Sequence, residues 1–208
     1  MFTFQEAQNQ PLEQVGAEAQ KLGEFGAQVG RGFVLERGFE EEFYSSNNLP
    51  ERIRMLFKDI NTRRIDEDAL ERATHGAALL LREASLMDNA VQKILLAVKN
   101  SNLLEQTVLV RRELSALESP ALEACVPRGA GNEVLFALKK LWAQDWSFDV
   151  ALERLDESGT YALEARPTLL LAGAKPEWNP ARAAELGVKG LLEWQGTIVG
   201  IYTKAQSS

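Results

Sequence analysis

The first 125 residues are rich in Leu, Ala, Glu, Gln and Arg, residue types that favour helices. Apolar side chains recur among them at three- and four-residue spacing, which is the pattern of a helix with one buried face. Pro11, Pro50 and Pro120 stand where such helices would begin. Amphipathic helices joined by short polar connections pack most simply side by side. We therefore expect an N-terminal antiparallel helical bundle over residues 1–125.

The helices expected in this bundle have approximate bounds that can be read from the apolar spacing. They cover residues 12–30, 51–60, 67–85 and 103–118, with a further helical stretch at 91–98. Asp66 directly precedes the third of them and is suited to cap its N-terminus.

The chain changes character after Cys125. Pro127, Gly129 and Gly131 fall within five residues and predict a linker over residues 126–131. All four tryptophans follow this linker. Strands are expected at 161–165, 168–172 and 197–203, and helices at 132–143, 147–157 and from Asn179-Pro180 onwards. The predicted fold class is mostly α, with a small α/β unit of short strands and helices over residues 132–208.

Composition removes several classes of function. The chain has 208 residues, a net charge of −7, one cysteine and one histidine. Cys125 alone cannot form a disulfide framework, and His75 alone cannot form an imidazole pair, so we expect no metal and no cofactor. No apolar run approaches ~18 residues, and the N-terminus lacks the pattern of a signal peptide. We therefore expect an acidic, cytoplasmic protein with no membrane association.

Small residues form a stripe along the first predicted helix. The stripe consists of Gly16, Ala19, Gly23, Gly26 and Gly30, and beside it run Val15, Leu22 and Val29. Small residues at heptad spacing let another helix approach closely. Because a helix with this many glycines needs a partner for stability, the stripe predicts a self-association seam and a homo-oligomer.

One short segment carries the densest positive charge. Its basic residues are Arg52, Arg54, Lys58, Arg63 and Arg64, against Glu51 and Asp59. Basic patches bind nucleic acid or other anions, but charge runs more often form a solvated helix face. Since the chain is acidic overall, nucleic-acid binding by this segment is possible but not favoured.

The function expected from these observations is non-enzymatic. Without metal, thiol, triad or nucleotide motifs, and with a packing seam present, we expect an adaptor or scaffold subunit in a protein assembly, whose protein partner the sequence does not identify. The alternatives are a nucleic-acid-associated protein that uses the basic segment from Arg52 to Arg64 and a magnesium-dependent nuclease-like enzyme. Asp149 and Glu164-Ala165-Arg166 resemble the acid and Glu-x-Lys of restriction-endonuclease-like enzymes, although Arg166 replaces the lysine and Asp149 falls in a predicted helix.

Overall fold

The computed structural model describes residues 1–62, 64–114, 121–162 and 164–203. Groups of helices and strands are interspersed along these residues, so the chain is mixed α/β. The helices, in chain order, are α1 (Phe4–Ala7), α2 (Leu12–Val15), α3 (Ala17–Glu24), α4 (Arg37–Ser46), α5 (Leu49–Phe57), α6 (Glu67–Glu83), α7 (Asp88–Asn100), α8 (Glu133–Gln144), α9 (Phe148–Ser158) and α10 (Pro180–Glu185). The strands are β1 (Phe2–Thr3), β2 (Gly32–Leu35), β3 (Val108–Arg111), β4 (Leu122–Cys125), β5 (Thr168–Ala172), β6 (Glu177–Trp178), β7 (Gly190–Trp194) and β8 (Thr197–Tyr202).

These strands form two antiparallel sheets. The larger sheet has the strand order β1-β2-β5-β3-β4, and the smaller one has the order β6-β7-β8. In the larger sheet β5 lies at the centre, where Leu170 pairs with Phe33 of β2 on one side and Val110 of β3 on the other. The large sheet therefore unites strands from both ends of the chain.

Both faces of the large sheet are covered. Successive residues of a strand point to opposite faces, and here each set enters a different apolar core. Helices α4 to α8 contribute to a helical layer on one face of the sheet. The residues of the sheet that point toward this layer are Phe33, Leu35, Val108, Val110, Leu170 and Ala172. The other face, toward α1, α3 and the small sheet, carries Val34, Leu109, Leu169 and Leu171. Burial on both faces explains why the central strands read as continuous apolar runs.

The structure corrects the predicted helix at 103–118 over residues 103–114, and residues 115–118 lie outside the described residues. Val108–Arg111 forms strand β3 instead, because its side chains are needed on both faces of the sheet. Residues 161–162 and 164–165, where a strand was expected, belong to no strand. Strands β2 and β3, which precede the predicted 126–131 linker, pair with β5, which follows it.

The predicted continuous helix over residues 12–30 is also interrupted. Gly16, at a φ of 82°, ends α2 and precedes α3, and residues 26–28 form a short 3-10 turn. The positive φ favours glycine at this position. A Cβ atom here would lie 2.2 Å from Oε1 of Glu113, so the Glu113 side chain would have to move.

Two neighbouring arginines at the end of β3 reach opposite layers. Arg111 points to the α3 side, where its Nη1 and Nη2 donate to the Glu18 carboxylate at 2.9 and 2.6 Å. The same carboxylate accepts backbone N–H bonds from Leu114 and Ile201, each at 2.8 Å. Glu18 thus joins α3 to the end of β3 and to β8.

Arg112 points to the helical layer. Its guanidinium donates to Glu40 of α4 at 2.6 and 2.9 Å and to Asp145 after α8 at 2.6 and 3.1 Å. Nη1 also donates to the Thr168 hydroxyl at 2.9 Å. Burial works against the charged guanidinium, yet Glu40 and Asp145 hold the pKa of Arg112 above its usual range. Arg112 therefore stays charged and ties β3 to the helices.

Among the described residues, no helix has the length and apolar character needed to cross a membrane.

Gly16→Ala tests the constraint at the start of α3. The positive φ is costly for any residue with a side chain, and the added Cβ would clash with Glu113. We expect a loss of about 1–3 kcal/mol in the free energy of unfolding. The control is Gly38→Ala within α4, where a Cβ meets nothing within 4 Å, and where we expect a gain of about 0.4–1 kcal/mol. Urea unfolding of both variants measures the change in the free energy of unfolding. Equal changes in Gly16→Ala and Gly38→Ala would contradict a backbone constraint at Gly16.

Arg112→Met tests the link between the sheet and the helical layer. The change leaves Glu40 and Asp145 buried without this charged partner, so we expect a loss of about 3–5 kcal/mol in the free energy of unfolding. Arg54→Met is the matched control, because Arg54 pairs with Glu51 on the surface and its loss should leave the urea midpoint nearly unchanged. A small effect of Arg112→Met would show that the buried pair contributes little.

Candidate docking pocket

An aromatic pocket opens beside the C-terminal end of α5. Its walls include Tyr44 of α4, Phe57 of α5, Trp146 between α8 and α9, and Tyr161 after α9. The Phe57 ring lies 5.7 Å from the Trp146 ring and 4.7 Å from the Tyr161 ring, in tilted arrangements. The cavity has a volume of about 460 Å³, within the range of pockets that bind small molecules or single side chains. We refer to these residues and their rim as the aromatic pocket.

Hydrogen bonds hold the aromatic walls in place. Trp146 Nε1 donates to the Tyr44 hydroxyl at 3.1 Å. The Arg154 guanidinium lies 5.0 Å from the Trp146 ring centre and donates to the backbone carbonyls of Asp145 and Tyr161. The pocket is therefore preformed by contacts that do not require a ligand.

The two phenols of the pocket are neutral at physiological pH. Burial raises the pKa of Tyr44 above its usual range, and nearby Glu40 adds to the rise. Burial also raises the pKa of Tyr161. In the part of the chain that the structure describes, the Tyr161 hydroxyl is the buried side-chain polar atom that has no hydrogen-bond partner. An incoming acceptor that reached this hydroxyl would remove a cost of about 1–3 kcal/mol.

The rim of the pocket is basic. Arg54 and Lys58 line it, and Arg54 forms two hydrogen bonds with Glu51 at 2.7 and 2.9 Å. Arg52 and Arg64 are exposed on the same segment. Within the described ranges Arg52, Lys58 and Arg64 form no ion pair, whereas Arg63 lies outside those ranges. Two of the five basic residues singled out from the sequence thus border the aromatic pocket.

The residues of the predicted self-association seam do not form one surface. Val15, Ala19 and Leu22 are fully buried in the core of the same chain. Gly23 packs against the backbone carbonyl of Phe4, and Gly30 against that of Ala172. Because Gly26 and Val29 lie beyond the end of α3, the stripe is divided among three elements. The predicted homo-oligomer therefore has no described interface here and stays a prediction.

The residues of the nuclease alternative are also separate. Asp149 is exposed on α9, and Glu164 and Arg166 lie in the loop before β5. Glu164 approaches Arg37 at 3.7 Å, while Arg166 pairs with Asp145. A search of the described residues finds no group of three or more His, Cys, Asp or Glu side chains placed to hold a metal ion.

The two residues with reactive side chains stand apart from the pocket. His75 is exposed on α6. Burial raises the pKa of the Cys125 thiol to about 11, so the thiol is protonated at neutral pH. A protonated thiol is a weak nucleophile.

A second cavity lies beside Arg112. It has a volume of about 300 Å³ and includes Glu113, Leu114, Arg166, Pro167 and Thr203 in its lining; we refer to it as the Glu113 cavity. Burial raises the pKa of Glu113 to about 7, although the backbone N–H of Glu18 donates to its Oε1 at 2.7 Å and opposes the rise. Glu113 therefore changes charge near neutral pH.

Sequence reasoning missed the residues that shape both cavities. Tyr161 was expected in a strand, and the segment containing Glu113 was expected in a helix. The only local signal was an Arg-Arg-Glu triplet directly after an apolar run at 108–110. Charged residues that continue a buried strand must find partners inside the protein.

Neither a protein-family model nor a curated protein matches the chain. Its function is therefore inferred from the geometry of its own residues.

Glu113→Gln tests the electrostatics of the second cavity. The pKa of Glu113 is raised in the folded state from its ordinary value of 4.5 to about 7, so the folded state binds this proton more tightly than the unfolded state. Stability from this group is therefore present below pH 4.5 and lost as pH rises through about 7. At pH 8 the free energy of unfolding of Glu113→Gln should exceed that of the unmodified protein by on the order of 1–3 kcal/mol, which raises the melting temperature. At pH 4.5 the two proteins should differ little.

The control for this experiment is Glu42→Gln, which changes an exposed carboxylate on α4 and should leave the pH dependence of the melting temperature unchanged. Parallel pH profiles for the unmodified protein and Glu113→Gln would contradict the raised pKa.

Proposed function

We propose that this chain is a non-enzymatic protein-binding subunit that takes a partner segment into the aromatic pocket. The observation that carries the proposal is a preformed aromatic cavity of about 460 Å³ with a basic rim. Its lining offers neutral rings and few polar atoms, which suits binding better than bond-breaking chemistry. A cytoplasmic location stays a prediction.

The shape of the pocket favours one large side chain as its occupant. Interfaces depend on a few aromatic or aliphatic anchors that enter well-packed pockets. Phe57 and Trp146 are buried, so the half-buried Tyr161 is the aromatic wall that an anchor can contact most directly. A partner segment would thus be held chiefly by its anchor side chain.

The charge of the rim indicates the residues beside the anchor. Arg52, Lys58 and Arg64 are exposed and form no ion pair within the described ranges, although the chain carries a net charge of −7. Complementary charges at the edge of an interface speed association and suppress wrong partners. We therefore propose an acidic segment with one aromatic residue.

A nucleic acid is the second candidate, because the same features suit it in part. An unstacked base can lie between aromatic rings while basic side chains contact phosphates. The acidic character of the rest of the chain argues against it, since nucleic-acid binders commonly have a basic surface over a wide area. Measuring the binding of a peptide and of an oligonucleotide to the same chain separates the two candidates.

Fluorescence polarisation with labelled probes tests the proposal on the full chain. One probe is an acidic peptide with a central Phe, a second has Ala in its place, and a third is a single-stranded oligonucleotide. We expect the Phe peptide to bind and the Ala peptide to bind at least about tenfold more weakly, which corresponds to one lost anchor. Stronger binding of the oligonucleotide, with a steep salt dependence, would favour the second candidate.

Two variants locate the binding site without removing core residues. Ala162→Phe places a ring in the pocket from an exposed lining position and should abolish binding of the Phe peptide. Lys58→Glu should weaken it by about tenfold at low salt and less at high salt. Lys93→Glu, on the exposed face of α7, is the matched control and should retain full affinity. Unchanged binding in Ala162→Phe would overturn the proposal.

A further inference from the structure

We propose that the Glu113 cavity binds a small zwitterion of the α-amino-acid type, with the carboxylate of the ligand on Arg166 and its ammonium on Glu113. The proposal is independent of the aromatic pocket, because it depends on a separate cavity and separate lining residues.

Arg166 has donors available for an anion. Its Nη2 donates to Oδ1 of Asp145, while Nε and Nη1 donate to no other group in the described residues. The side chain is 48% exposed, in contrast to Arg112, whose three nitrogens all donate to buried partners. A guanidinium fixed at one edge can still bind a carboxylate through its remaining N–H groups.

Glu113 offers the opposite charge. Its Oε1 accepts one hydrogen bond, from the backbone N–H of Glu18. No cation lies within salt-bridge distance of Glu113 among the residues described, and Oε2 has no hydrogen-bond partner there. A partly buried carboxylate without a cationic partner is costly, and an ammonium group would supply that partner.

The two side chains line one cavity but do not pair with each other. Each is held by its own anchor, since Glu18 at the start of α3 fixes Glu113 and Asp145 fixes Arg166. Opposite charges held apart in one cavity are complementary to a ligand that carries both charges in the reverse order. An α-amino acid has this arrangement on a single carbon atom.

The size and lining of the cavity limit the ligand. A volume of about 300 Å³ is at the lower end for ligand sites. Ala17, Leu114 and Pro167 give the cavity an apolar part, and Thr203 contributes a hydroxyl. These features suit an amino acid with a short side chain, such as alanine.

Calorimetric titration of the full chain at pH 8 tests the proposal with three probes. L-alanine carries both charges, propionate carries only the carboxylate, and ethylamine carries only the ammonium. We expect L-alanine to bind and each single-charge probe to bind at least about tenfold more weakly. Equal binding of propionate or ethylamine would overturn the zwitterion assignment, and absence of heat with L-alanine at about 10 mM would overturn the site.

Variants place the ligand in the cavity. Glu113→Gln and Arg166→Gln should each weaken L-alanine binding at least about tenfold, whereas Glu42→Gln and Arg72→Gln, at exposed positions on α4 and α6, should retain it. Melting temperatures measured without ligand show that each variant is folded. Full affinity in either cavity variant would overturn the assignment.

A pH titration gives a readout that a merely structural role would not produce. Glu113 faces the charged groups Glu18, Arg111 and Arg166, and its ionised form is the one that binds ammonium. L-alanine affinity should therefore rise between pH 6 and pH 8 in the unmodified protein and stay flat in Glu113→Gln. A flat profile in the unmodified protein would overturn the role of Glu113.

Discussion

Two adjacent guanidinium groups, on Arg111 and Arg112, join the three layers of this protein. Because a strand alternates its side chains, one charge enters each of the two cores that the large sheet separates. Glu18 meets the first, and Glu40 with Asp145 meets the second. Each core can bury a charge only when the opposing carboxylate is also present. The packing of α3 and α4 on opposite faces of the sheet is therefore specified by electrostatics as well as by apolar shape.

The same network borders both cavities. Asp145 accepts hydrogen bonds from Arg112 and Arg166 on its carboxylate and from Arg154 on its carbonyl. Arg166 lines the Glu113 cavity, and Arg154 lies over the Trp146 ring of the aromatic pocket. Functional residues held by a packed and hydrogen-bonded shell keep their geometry without a ligand. The buried ion pairs thus provide rigid support for two surfaces with different chemistry.

Local signals in the sequence predicted the elements that depend on local physics. Asp66 accepts a hydrogen bond from the N–H of Ala69 at the start of α6, and Asn179 does the same for Arg182 at α10. Strand β3 was not predicted, because a four-residue apolar run cannot be distinguished from part of a helix by its spacing.

Contacts between residues that are distant in the sequence account for the features that the sequence did not predict. The seven-residue spacing of the glycines predicted one continuous helix over residues 12–30, whereas Gly16 serves a turn and Gly23 serves a close approach to a backbone carbonyl. The aromatic pocket unites side chains that are distant in the sequence, such as Tyr44 and Trp146, which are 102 residues apart. No local pattern encodes such a distance.

The central position of β5 has a consequence for the synthesis of this chain on the ribosome. Among the described residues, β2 with β1 and β3 with β4 form two separate pairs, and strand β5 (Thr168–Ala172) connects them. During translation both pairs keep an unpaired edge until β5 emerges. Exposed strand edges promote association between nascent chains. The sheet is therefore completed late, and chains that terminate before β5 should aggregate rather than fold.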